Sequence, residues 1–206
     1  MKTILNSKKG FTLVEMLVVI AVLSIIGILI LTIFTRTLKG TNKSQIISAI
    51  KQNGQSVLEN MDNNIRNSDN VACISLDNKI IVVDKRGVYI RYTFIDPSSA
   101  NGWIQQDAPV KGTDPSTDEE EISVVFVNRV CANNDSVVNP VSPVTLTDTN
   151  PQSGVSVTNG IFKRDRLAGF RDSVKIAFEV DNGVGALTAL AQEIDPVKFE
   201  TTIVLR

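Results

Sequence analysis

The sequence predicts an α+β fold in which one long N-terminal helix packs on a mainly antiparallel β-sheet. Three observations carry this. Met16 to Thr35 is a run of 20 residues without a charge, mostly Leu, Ile and Val. Downstream, Ile47, Ile50, Gly54, Val57, Leu58, Met61 and Ile65 recur at three- and four-residue steps between polar residues, the spacing of one apolar helix face. Beyond Asn70 the pattern shifts to short apolar or alternating runs punctuated by turn residues, and all seven prolines lie at or after Pro97, as expected for successive strands.

Taken in order, residues 1–10 form a short basic segment carrying Lys2, Lys8 and Lys9. The apolar run then extends from Phe11 to Phe34, 24 residues broken by Glu15 alone. As a helix this measures about 36 Å, enough to cross a hydrocarbon core of about 30 Å. Residues 11–36 are therefore expected to span a membrane. A cleaved secretory signal fits less well, because the run exceeds the usual apolar length of about 7–15 residues and no small-residue cleavage site follows it. Lysines precede the run, and Arg36, Lys39 and Lys43 follow it, so the flanking charges do not set its orientation.

Residues 37–70 continue the helix with an amphipathic character. Gly40 and Gly54 each weaken it by about 1 kcal/mol relative to Ala. Residues 71–206 are expected to form a β-rich head. Val71–Leu76, Lys79–Asp84 and Val88–Ile95, separated by Asp77-Asn78 and Lys85-Arg86-Gly87, read as successive hairpins. Ile122–Val130 reads as a further strand, and Asp96–Glu121 and Asn139–Asn159, with three prolines each, as loops. The chain closes on strands at Ser173–Val180, Ala186–Ala191 and Phe199–Leu205.

Composition excludes much chemistry. There is no histidine, hence no Ser-His-Asp or Cys-His nucleophile and no imidazole base or ligand. Two cysteines cannot supply a four-cysteine metal site, and a formal charge of −1 offers no polycation for nucleic acid.

The junction Lys8-Lys9-Gly10-Phe11-Thr12-Leu13-Val14-Glu15 resembles the type IV prepilin cleavage and methylation signature: a basic leader, Gly, a hydrophobic residue and Glu at the fifth mature position. The resemblance implies a membrane aspartyl peptidase that cuts between Gly10 and Phe11 and methylates the new Phe11 amine. It implies a pilin-like fold and a structural subunit, a minor pilin or type II secretion pseudopilin, rather than an enzyme. Glu15 would neutralise the N-terminal amine of an adjacent subunit. A carboxylate in an apolar helix costs about 2.5–3.5 kcal/mol at the bilayer centre, less near an interface, and a partner offsets that cost. The implied partners are the prepilin peptidase, other pilin or pseudopilin subunits, the cytoplasmic membrane and an assembly platform. The head would lie outside the cytoplasm, then in a filament at the periplasm or cell surface. Many pilins carry Pro where this chain has Thr32, and the tip-type minor pseudopilin characteristically lacks the glutamate present here as Glu15. The ending Phe199–Arg206 is similar to those of some minor pilins and pseudopilins. Loss of the three leader lysines leaves the mature chain acidic.

Other candidate residues have plain structural roles as alternatives. Cys73 and Cys131, 58 residues apart, are a disulfide or two buried thiols. Export favours the disulfide, whose loop closure is worth about 4 kcal/mol. Asp114, Asp118, Glu119, Glu120 and Glu121 offer oxygen ligands for calcium but match no ligand pattern, so a solvated acidic loop is expected and no cofactor. Lys163, Arg164, Arg166 and Arg171 suit an acidic neighbour better than DNA, since no nucleic-acid motif accompanies them. Tyr89, Tyr92 and Trp103 are expected to cap the core. The competing functions are a binding module for DNA uptake or adhesion, which differs only in the surface chemistry of the head, and a membrane-anchored enzyme, which the missing histidine disfavours.

Overall fold

The computed structural model describes residues 10–112, 123–132, 141–166, 171–185 and 194–205. The helix α1 spans Leu13–Arg66, and the chain divides into two units, one up to Ser44 and one from Gln45 onward.

In the first unit, α1 is capped by Thr12. The Glu15 N–H donates to the Thr12 hydroxyl at 3.3 Å and to its carbonyl at 3.1 Å, satisfying a donor that has no partner within the helix. The large apolar side chains from Phe11 to Phe34 are exposed. The hydroxyls interrupting this surface turn inward on the helix itself: Ser24 donates to the Ile20 carbonyl and Thr32 to that of Ile28, both at 2.8 Å. Thr35, Thr37 and Thr41 do the same. Such bonds leave few polar groups for lipid to accommodate.

In the second unit, Ile50, Gly54, Val57, Met61 and Ile65 are the buried stripe of α1, with Ile47 and Leu58 half-buried beside it. The stripe packs on two antiparallel sheets rather than one. The first is the meander β1 (Asn70–Ile74), β2 (Ile80–Lys85), β3 (Val88–Ile95), β4 (Trp103–Ala108) and β5 (Val141–Thr145), in that spatial order. The second holds β6 (Val155–Asp165), β7 (Ser173–Asn182) and β8 (Val197–Val204).

The β2–β3 turn has Arg86 at φ 57° and Gly87 at φ 81° between the paired Lys85 and Val88. Two positive φ values in a two-residue loop match the twist of the strands they join. Along β2, Ile81 and Val83 enter the core with α1, while Ile80 and Val82 enter a smaller cluster on the other face. Burial on both faces explains the unbroken apolar run of that strand.

That smaller cluster contains α2 (Ser123–Cys131), which corrects the expected strand at Ile122–Val130. Phe126 and Val130, four residues apart, are fully buried against Ile80 and Val82, while Val124 and Val125 are exposed. A short continuous apolar run does not reveal its period until a partner face selects it. The two expected loops also hold strands. β4 lies within Asp96–Glu121, while β5 and the start of β6 lie within Asn139–Asn159. Pro143 is accommodated because β5 is the edge of its sheet, where a missing N–H breaks no ladder. In β6, Asn159-Gly160 forms a bulge, with Asn159 at φ 53° and a register shift between Thr158 and Ile161. Residues 186–191 lie outside the described residues.

The sheets meet through Val157 N–H to Gly102 carbonyl at 2.9 Å and Phe162 N–H to Asn78 carbonyl at 2.8 Å. Between them Phe94 stacks near Phe162, with centroids 4.5 Å apart, and Phe178 lies over Phe199 at 5.3 Å. A Cβ at Gly54 would collide with the Phe199 ring, so the glycine that weakens the helix also admits this aromatic layer.

Candidate functional site

The first unit presents Gly10, Phe11 and Glu15 around the start of α1. Gly10 and Phe11 are exposed, and neither they nor Thr12 are helical. The Thr12 cap ends the helix before Phe11, so Phe11 does not share a helical face with Glu15. Glu15 occupies the third helical position, in the first turn, where the positive end of the helix dipole favours a carboxylate. It is the sole carboxylate between Phe11 and Arg36. The arrangement is an accessible peptide bond, a helix of lipid-compatible length, and one negative charge within a turn of the amine that cleavage would expose.

In the head, Cys73 and Cys131 form a disulfide with Cα atoms 6.4 Å apart, joining β1 to the end of α2. Two residues that sequence reasoning missed lie beside it. Arg91 on β3 makes a bidentate pair with Asp107 on β4, Nε to Oδ1 at 2.9 Å and Nη2 to Oδ2 at 2.8 Å, and its Nη1 donates to the Val130 carbonyl at 3.2 Å. Both side chains are buried, 4% and 1% exposed. The guanidinium thus meets the negative end of α2. Nothing local marks the pair, since Asp107 falls in a segment that reads as a loop.

The basic residues do not form one free patch. Arg164 and Arg166 both engage Asp172, and Arg164 also donates to the Val71 carbonyl at 2.9 Å, fastening β6 to the edge strand β1. Hydrogen bonds from Arg166 and Arg164 hold the Asp172 carboxyl below its ordinary range. Lys163 lies 3.8 Å from Asp165, and Arg171 is exposed. Tyr92 is fully buried. Its hydroxyl donates to Asn60 at 3.0 Å and accepts from Asn64 at 2.8 Å, and burial pushes the phenol up to about 12. Tyr89 packs against Phe126 with centroids 4.6 Å apart, and Trp103 is half-buried. Asp114, Asp118, Glu119, Glu120 and Glu121 lie outside the described residues. Among the described residues no group of three or more His, Cys, Asp or Glu could hold a metal ion. A cavity of about 870 Å³ opens beside the disulfide, lined in part by Ser75, Leu76, Lys79, Asp96 and Asn128.

Comparison with known proteins places residues 5–33 in the prokaryotic N-terminal methylation motif. This is the signature of type IV pilins and pseudopilins, and a long N-terminal helix followed by antiparallel sheet is consistent with the pilin-like fold. The motif marks pilin-like subunits, a class of structural proteins that a prepilin peptidase processes and that assemble with other pilins in the membrane. No curated protein and no solved structure matches the chain.

Proposed function

We propose that the protein is a minor pilin or pseudopilin, a structural subunit of a type IV pilus or type II secretion pseudopilus. It is cut between Gly10 and Phe11, methylated on the Phe11 amine, and assembled through α1, with Glu15 pairing the amine of a neighbouring subunit. One observation supports this best: an unburied apolar helix carries a single carboxylate in its first turn, directly after an exposed Gly-Phe bond. Such a helix needs lipid or other helices around it, and such a carboxylate needs a cation. The head lies outside the cytoplasm, where its disulfide persists.

Engagement of Arg164 and Arg166 by Asp172 weakens the basic patch on which a DNA-uptake role would rest. Co-expression with a prepilin peptidase tests the main reading. Wild type should yield a chain beginning at N-methylated Phe11, while Gly10→Val stays full length. Glu15→Ala should insert normally and be lost from filaments. Incorporation of that variant at wild-type level would remove the pairing role of Glu15.

A further inference from the structure

Helical geometry stops beside the bond assigned to cleavage. α1 begins at Leu13, and residues 10–12 are non-helical. Thr12 makes the boundary: its hydroxyl accepts from the Glu15 N–H at 3.3 Å, and its carbonyl accepts from the N–H groups of Glu15 and Met16 at 3.1 and 3.2 Å. No proline forces the helix to start there, and the apolar run continues through Phe11. Upstream, Gly10 caps about as well as a threonine and Ser7 better. A helix begun at either would take Phe11 into its first turn and engage the Gly10 carbonyl in its hydrogen-bonding pattern.

We infer that Thr12 is a positioning residue for processing: its side chain ends α1 just after Phe11 and keeps the Gly10–Phe11 bond in open backbone. Hydrolysis there breaks the carbon–nitrogen bond. Water oxygen goes to the Gly10 carboxylate and a proton to the Phe11 amine. The step needs a backbone carbonyl that solvent and an aspartyl dyad can reach, and the cap supplies one. The same boundary leaves the new amine outside the helix while Glu15 sits inside its first turn. This inference rests on cleavage after Gly10.

The test compares the full-length precursor with Thr12→Val and Thr12→Asn in membranes containing a prepilin peptidase. Valine keeps the shape and removes the hydroxyl. Asparagine restores a cap without a hydroxyl. Removing a cap shifts a helix-start equilibrium by about 2- to 30-fold, so Thr12→Val should be cut slower by a factor in that range. Thr12→Asn should stay within about twofold of wild type. Carbon chemical shifts of Gly10 and Phe11 in micelles should move toward helical values in the valine variant alone. Wild-type cleavage of Thr12→Val overturns the inference. So does a Thr12→Asn as slow as Thr12→Val, which would mean that the peptidase reads the hydroxyl itself. An uncut wild type overturns the processing assignment as well, which separates the two failures.

Discussion

Arg91 and Asp107 face one another across β3 and β4 as a buried bidentate ion pair, and Arg91 reaches on to the Val130 carbonyl at the end of α2. The pair lies on the sheet face opposite α1, beside the cluster of Val82 and Phe126, and both side chains are buried. Removing one partner strands the other in a low-dielectric site, which costs about 3–5 kcal/mol. Asp107→Asn should therefore lower the unfolding free energy of the full chain in detergent by about that amount. The double variant Arg91→Met/Asp107→Leu should lose much less. Equal losses in denaturant titrations of the single and double variants would contradict an uncompensated charge as the cause.

Gly54 and Phe199 make a second test. Replacing glycine in a helix interior normally stabilises by about 1 kcal/mol, but here a side chain would enter the Phe199 ring. Gly54→Val should instead destabilise by about 1–3 kcal/mol, the usual range for overpacking. Adding Phe199→Leu should recover part of the loss, measured as a midpoint shift at constant slope.

The Cys73–Cys131 bridge closes a 58-residue separation. Loop entropy alone assigns it about 4 kcal/mol, and it anchors the C-terminal end of α2. Cys73→Ser/Cys131→Ser should unfold at lower denaturant by about that free energy. Limited proteolysis should cut first around α2, while β6–β8 stays protected. Adding reductant should lower the stability of wild type and leave the double variant unchanged.

Tyr92 predicts a response to alkali. Burial raises its phenol to about 12, with the Asn64 hydrogen bond acting in the opposite direction. The folded state holds the proton more tightly than the unfolded chain, whose phenol titrates near 10. Its contribution is thus fully present below pH 10 and is lost as pH rises from about 10 to 12. Tyr92→Phe should be less stable at pH 7, because Asn60 and Asn64 lose a buried partner, at a cost of about 1–3 kcal/mol. Its stability should also fall less between pH 10 and 12, as followed by circular dichroism in urea.

The elements legible in the sequence are those whose cause is local. The apolar run, the Gly10–Phe11 junction and the stripe from Ile47 to Ile65 follow from spacing along a single helix. The β2–β3 hairpin follows from Arg86-Gly87, because a two-residue turn states its own conformation. Three segments read wrongly for one common reason: their conformation was decided by a neighbour far along the chain. Ser123–Cys131 became helical where its apolar side chains found Ile80 and Val82. Pro143 sits in a strand because that strand is an edge. Trp103–Ala108, expected within a loop, became a strand where β3 paired with it.

The sequence by itself determined the membrane-length helix, its lone carboxylate at Glu15 and the junction at Gly10, since each depends on residues within one or two turns of one another. Tertiary structure alone decided the division into two sheets, the burial of Arg91 with Asp107 and the capture of Arg164 and Arg166 by Asp172. Charges such as these look free in a linear chain. Whether water or an opposite charge surrounds them depends on strands that meet only after folding, and the energy of a buried charge turns on that distinction.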